Sequence, residues 1–121
     1  MCRRGEIYNI DFGYSADSHK QSGIRPVVIV SNNKANINAP VVTIVPLTAR
    51  VWKKKNLPTH VQIPSDRETG LVKPSMALAE QVETLDKNRL GEKVGEIRDA
   101  DVMNRLTIAL QIQIGAYEEY N

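Results

Sequence analysis

The chain has one cysteine, Cys2, so it forms no intramolecular disulfide. Its two histidines stand alone, and no Cys/His cluster has metal-ligand spacing. A protein without metal or other cofactor is therefore expected. No apolar run approaches the roughly 20 residues that a membrane helix needs. The opening Met1-Cys2-Arg3-Arg4-Gly5 lacks the apolar core of a signal peptide. These absences point to the cytoplasm and away from a membrane.

The composition is that of a soluble globular protein, with 41% apolar and 25% charged residues. A length of 121 residues suits one domain, 1–121, with one core. The net charge of +2 hides an asymmetry: residues 1–79 balance to +6 and residues 80–121 to −4. A basic front and an acidic back suit a protein that meets a polyanion on one side.

The chain is organised around Gly23-Ile24-Arg25-Pro26-Val27-Val28-Ile29-Val30-Ser31-Asn32. The β-branched run after Pro26 reads as a short strand buried on both faces. Arg25 sits at its mouth, a guanidinium that keeps its charge and offers five donors to phosphate or carboxylate. An arginine paired with a nearby carboxylate is the plainer reading of that residue alone. Val41 to Leu47 reads as a second buried strand, ending at Thr48. Strands this near in sequence tend to be neighbours, which brings the Thr48 hydroxyl towards Arg25. A hydroxyl that merely caps a strand end is the alternative.

Gly5 to Phe12 alternates as a half-buried strand, and Gly13 to Ser22 is a polar loop containing His19. Residues 32–38 are an Asn-rich helical turn or loop. His60 to Pro64 and Ser75 to Ala79 read as strands, with Glu80 to Asp86 continuing the latter and Leu90 to Ile97 closing the sheet. Asp99 is an N-cap for a helix to about Ile114, carrying Val102, Met103, Leu106, Ala109 and Leu110 on one face. Ile108, Ile112 and Ala116 widen that face beyond an ordinary core stripe. Either a two-fold partner or the protein's own barrel could cover the excess.

Five stretches in order, 3–12, 25–32, 45–48, 57–61 and 78–86, resemble the MazF/PemK toxins, and most of all their EndoA-like branch. The resemblance implies a mainly β fold with α, an SH3-like small barrel of the CcdB/PemK type with a C-terminal helix. It implies a homodimeric toxin, a metal-independent endoribonuclease that cuts single-stranded mRNA through its own 2′-hydroxyl. The products would be 2′,3′-cyclic phosphate and 5′-hydroxyl ends, with a UACAU-like motif as target. The family's catalytic arginine and threonine fall on Arg25 and Thr48. An antitoxin resembling MazE, with an acidic C-terminal tail, is the implied protein partner. Where relatives often read Glu-Gln-x-Gly before the arginine, this chain has Lys20-Gln21-Ser22-Gly23, a departure bearing on base preference and antitoxin affinity.

Neither Arg25 nor Thr48 is a comfortable proton acceptor, so His19 is the candidate general base. The expected RNA contacts are Lys20, Gln21, Asn32, Asn36, Arg50, Trp52, Lys53, Lys54 and Gln81. Among these, 50–56 joins four cations to the only tryptophan, as a single-strand groove does, although a solvated hairpin tip has the same composition. Two rivals remain: a gyrase poison like CcdB, and a non-catalytic RNA-binding SH3-like module. The first would lack the Arg/Thr pair and end in a Trp-Gly-Ile-like tail, whereas this chain ends Tyr117-Glu118-Glu119-Tyr120-Asn121.

Overall fold

The computed structural model describes residues 2–14, 22–50 and 57–116. Seven strands are described: β1 (Glu6–Asp11), β2 (Ile24–Ile29), β3 (Val41–Thr48), β4 (His60–Ile63), β5 (Ser75–Leu78), β6 (Glu83–Asp86) and β7 (Lys93–Glu96). A short helix α1 (Asn33–Asn38) follows β2, and α2 (Ala100–Gln113) follows β7. The sheet runs β4-β5-β3-β2-β1-β7, all pairs antiparallel, with β6 pairing the first half of β3.

The β-branched run forms a strand because both its faces find apolar cover. Val28 and Val30 enter a core shared with Val45, Leu47 and the helix residues Val102, Leu106 and Ala109. Val27 and Ile29 point the other way, into a second core with Ile10, Val42, Ile44 and Leu85. Each fully buried Ile or Leu contributes roughly 1.5–3 kcal/mol to holding the strands in this register.

β3 is long enough to serve two partners. Val41 to Ile44 pair with β6, whereas Leu47 and Thr48 pair with Ala77 and Met76 of β5. The sheet therefore curls into a half-barrel about β3. Its two end strands do not pair as a ladder. Instead the segment after β4 reaches across, and Glu96 N–H donates to the Glu68 carbonyl at 2.8 Å.

Two expectations are corrected here, and a third is narrowed to one of its alternatives. Residues 79–81 form a 3-10 turn, so β6 is a separate strand rather than a continuation of β5. The closing strand covers only Lys93–Glu96, because a second 3-10 turn at Lys87–Arg89 leads into an extended lead-in. The Asn-rich stretch settles as α1, with the Asn32 side chain accepting from Ala35 N–H at 2.8 Å.

α2 begins where expected, with Asp99 accepting from Asp101 N–H at 2.8 Å. It ends at Gln113, and Gly115, with a φ of +79°, turns the chain out of the helix. The half-barrel covers Val102, Leu106 and Ala109, but Ile108 and Ile112 are only half-buried and border a groove with β4. Among the described residues no helix is long and apolar enough to cross a membrane.

Candidate functional site

Where β2 and β3 part, a cleft of about 580 Å³ opens. The last paired residues are Val27 and Pro46. Pro46 is itself the β3 member of that last pair and Pro26 stands next to Val27 on β2, and a proline has no N–H to extend a ladder. β3 then turns to β5, while Arg25 stays paired to Ile10 of β1. The separating strand ends form two sides of the cleft.

Arg25 and Thr48 both line it. Side chains alternate along a strand, so Arg25 shares a side of β2 with Val27 and Ile29, and Thr48 shares a side of β3 with Ile44 and Val42. Those four apolar residues belong to one core, which puts the guanidinium and the hydroxyl on the same side of the sheet. Thr48 is 5% exposed, and its Oγ1 accepts from Arg50 N–H at 3.1 Å. Accepting that bond leaves the hydroxyl proton available to a ligand. Among the described residues no carboxylate forms an ion pair with Arg25, so the plainer pairing set beside it earlier does not occur there. Arg50 also lines the cleft and is exposed.

The remaining wall was not singled out from sequence. Gly70, Leu71, Val72, Lys73 and Ser75 also line the cleft. The only signal for it is the turn chemistry of Asp66-Arg67-Glu68-Thr69-Gly70. Asp66 Oδ1 accepts from the N–H groups of Glu68 at 2.9 Å and Thr69 at 2.8 Å. The buried Thr69 hydroxyl donates to the Pro64 carbonyl at 2.9 Å.

The other expected contacts divide. Asn36 is 0% exposed, with its amide donating to the Ser31 carbonyl at 2.8 Å, so it holds α1 to the end of β2 and cannot touch RNA. That expectation is corrected. Asn32 is exposed but caps α1, and Gln81 lies in the 3-10 turn after β5; neither lines the cleft. His19, Lys20, Gln21, Trp52, Lys53 and Lys54 lie outside the described residues.

Two ionic clusters lie outside the cleft lining. On β1, Glu6 is buried and takes Lys93 Nζ at 2.7 Å, the Arg3 N–H at 2.7 Å and the Tyr8 hydroxyl at 3.0 Å. Burial pushes the Glu6 carboxyl up, but these donors outweigh it and hold it below the ordinary value. Burial, then the bond to Glu6, pushes Tyr8 up to about 12. The hydrogen bond to Glu6 likewise raises Lys93. On β4, His60 Nε2 meets Glu80 Oε2 at 2.9 Å, while Thr59, just before the strand, donates to Glu80 Oε1 at 2.8 Å.

The cleft thus offers cations and a hydroxyl at the bottom of apolar walls. Such a site can grip a phosphodiester and stabilise charge developing on it.

Comparison with known proteins agrees in sequence and in fold. Residues 3–114 match the family described as PemK-like, MazF-like toxin of type II toxin-antitoxin system. The chain is 40% identical over 117 residues to the endoribonuclease MazF of Staphylococcus saprophyticus, covering 97% of this chain and 94% of that one. An endoribonuclease from a mycobacterial species, solved in complex with its cognate antitoxin, superposes with a TM-score of 0.77 at 30% identity, over 98% and 99% of the two chains. MazF of Deinococcus radiodurans superposes with a TM-score of 0.74 at 25% identity, over 94% and 96%. With a family match across nearly its whole length, the half-barrel and its C-terminal helix identify the chain as a member of the PemK-like, MazF-like toxins of type II toxin-antitoxin systems.

Proposed function

We propose that this toxin is an endoribonuclease that cuts single-stranded mRNA at the Arg25–Thr48 cleft. The observation that carries the reading is the convergence of a half-buried arginine, unpaired among the described residues, with a buried hydroxyl in one cleft. The 40% identical endoribonuclease MazF supports the activity, and the mycobacterial complex supports an antitoxin as partner.

The reaction follows from what those groups can do. The ribose 2′-oxygen attacks the adjacent phosphorus as its proton passes to a general base, for which His19 is the candidate. The new O2′–P bond forms and the P–O5′ bond breaks. The departing oxygen takes up a proton and leaves as a 5′-hydroxyl, with 2′,3′-cyclic phosphate on the other fragment. Arg25 neutralises the charge that builds on the phosphorane oxygens, and Thr48 donates a hydrogen bond to one of them. The nucleophile belongs to the RNA and the charge is met by a guanidinium, so no metal ion is required.

Target choice is a UACAU-like motif, with Arg50, Lys53, Lys54 and Trp52 following the strand, Lys20 and Gln21 covering it, and Gln81 and Asn32 as further contacts. The toxin acts as a homodimer, supported by the half-buried Ile108 and Ile112 on α2 and the 72% exposed Ile114 just past its end. An antitoxin resembling MazE would lay an acidic tail across the basic cleft and block it.

The test is incubation of a defined single-stranded RNA with the protein in excess EDTA, followed by mapping of both ends. Cyclic phosphate and 5′-hydroxyl ends at one recurring motif are expected. RNA that is bound but left whole would instead make this a non-catalytic RNA-binding module.

A further inference from the structure

The cleft wall formed by residues 70–75 carries two side chains that the reaction above does not use. Val72 is 94% exposed, and Lys73 beside it is exposed and forms no ion pair among the described residues. A lone surface valine ordinarily needs no explanation. This one stands on a braced segment, which changes the question.

The bracing is covalent geometry as much as hydrogen bonding. Asp66 and Thr69 tie the turn to itself, and Gly70 N–H donates to the Asp66 carbonyl at 3.0 Å. Behind the turn, the backbones of 68–70 and of β7 approach so closely that side chains are excluded. A Cβ on Gly70 would lie 2.1 Å from the Val94 carbonyl oxygen, and one on Gly95 would lie 2.4 Å from that of Thr69. On the far side, the Ser75 hydroxyl donates to the Lys73 carbonyl at 3.0 Å. Both ends of the wall are therefore held, and groups on it meet a ligand with little ordering cost.

Its chemistry alternates. Leu71 packs on the core and continues into Val72, giving an apolar step, and Lys73 follows as a cation. Single-stranded RNA alternates in the same way, a flat base with an apolar face and then a charged linkage. We propose that this wall is a nucleotide subsite: Val72, backed by Leu71, takes the face of a base beside the scissile linkage, and Lys73 takes a neighbouring phosphate. The assignment rests on the RNA-cleaving reading of the cleft.

The experiment uses the full chain and one defined single-stranded RNA, together with the same RNA carrying a 2′-deoxyribose at the cut position. Val72→Ser should raise KM by about fivefold with the loss falling on KM rather than kcat, and Val72→Leu should restore it. Lys73→Ala should lower the slope of log affinity against log salt by about 0.7 for the uncut RNA. Unchanged KM and unchanged salt slope in these variants overturn the subsite. Arg25→Ala run alongside separates the two claims. If it abolishes cutting while the Val72 and Lys73 variants match the parent, only the subsite is wrong. If it cuts normally, the cleft itself is not where RNA is cleaved.

Discussion

Arg25 and Thr48 stand two residues beyond the last β2–β3 pair, Val27 and Pro46, each on its own strand and on the same side. Hydrogen bonding between the strands has stopped there, so the space that a ladder would fill is free for a ligand. The site is a consequence of the fork in the sheet.

Loss of either group should therefore cost rate without costing the fold. Arg25→Ala and Thr48→Val are each expected to slow single-turnover cleavage roughly 100- to 1000-fold, the usual cost of one transition-state donor. Thr48→Ser keeps the hydroxyl and should retain most of the activity. Thermal melts alongside would separate lost chemistry from lost structure. Cleavage within a few-fold of the parent in the double variant would remove both residues from the mechanism.

Stability should depend on pH at both extremes, because of the Glu6 cluster. Glu6 is held below its ordinary 4.5, so its contribution is complete above that pH and fades as pH falls through the lowered value. Tyr8 is raised, so its contribution is complete below pH 10.0 and fades as pH climbs towards about 12, and the raised Lys93 acts in the same direction. Denaturant midpoints against pH should trace a plateau between these limits. Glu6→Gln is expected to lower stability at pH 7 by about 1–3 kcal/mol and to flatten the acid limb.

The tight approach of 68–70 to β7 predicts a sharp response to one methyl. Gly95→Ala would place a Cβ 2.4 Å from the Thr69 carbonyl oxygen and 2.5 Å from that of Glu68. Both are backbone atoms that cannot swing aside. The expected cost is about 1–3 kcal/mol of stability, seen as a lower melting temperature. Gly13→Ala is the control for added volume, since nothing lies within 4 Å there, although its φ of +70° carries its own modest strain.

His60 and Glu80 should prove to be one unit. Leu57 N–H donates to His60 Nδ1 at 3.3 Å, which leaves Nε2 as the donor to Glu80. The His60 side chain is 2% exposed, so removing it strands two polar partners. His60→Leu is expected to cost about 1–3 kcal/mol. In a double-mutant cycle with Glu80→Leu, the second change should cost less than it does alone. Full additivity in chemical denaturation would show that the two do not act together.

Much of this architecture could be read from residue order. The two β-branched runs had to be buried on both faces, since neither has a polar alternation to turn towards water. Asp99 had to start the last helix, because a carboxylate before an apolar-periodic run satisfies its free N–H groups. The short pieces were less legible. β6 is four residues whose strand character comes from the first half of β3 beside it, and 79–81 looks like more strand until the chain has to turn towards that partner. Asn36 misled because an asparagine on a polar stretch looks solvent-facing, yet Ser31 and the backbone enclose it.

By itself the sequence determined the buried strands, the capped helix and the placing of Arg25 and Thr48 at strand ends, because periodicity, caps and prolines act over a few neighbouring positions. Only the tertiary structure decided that β3 would serve two partners, that Gly70 and Gly95 would close the gap between the sheet's ends, and that Leu71, Val72 and Lys73 would line the same cleft as Arg25. Those outcomes depend on which distant backbones approach one another, and that is settled when both apolar faces of the sheet are buried together.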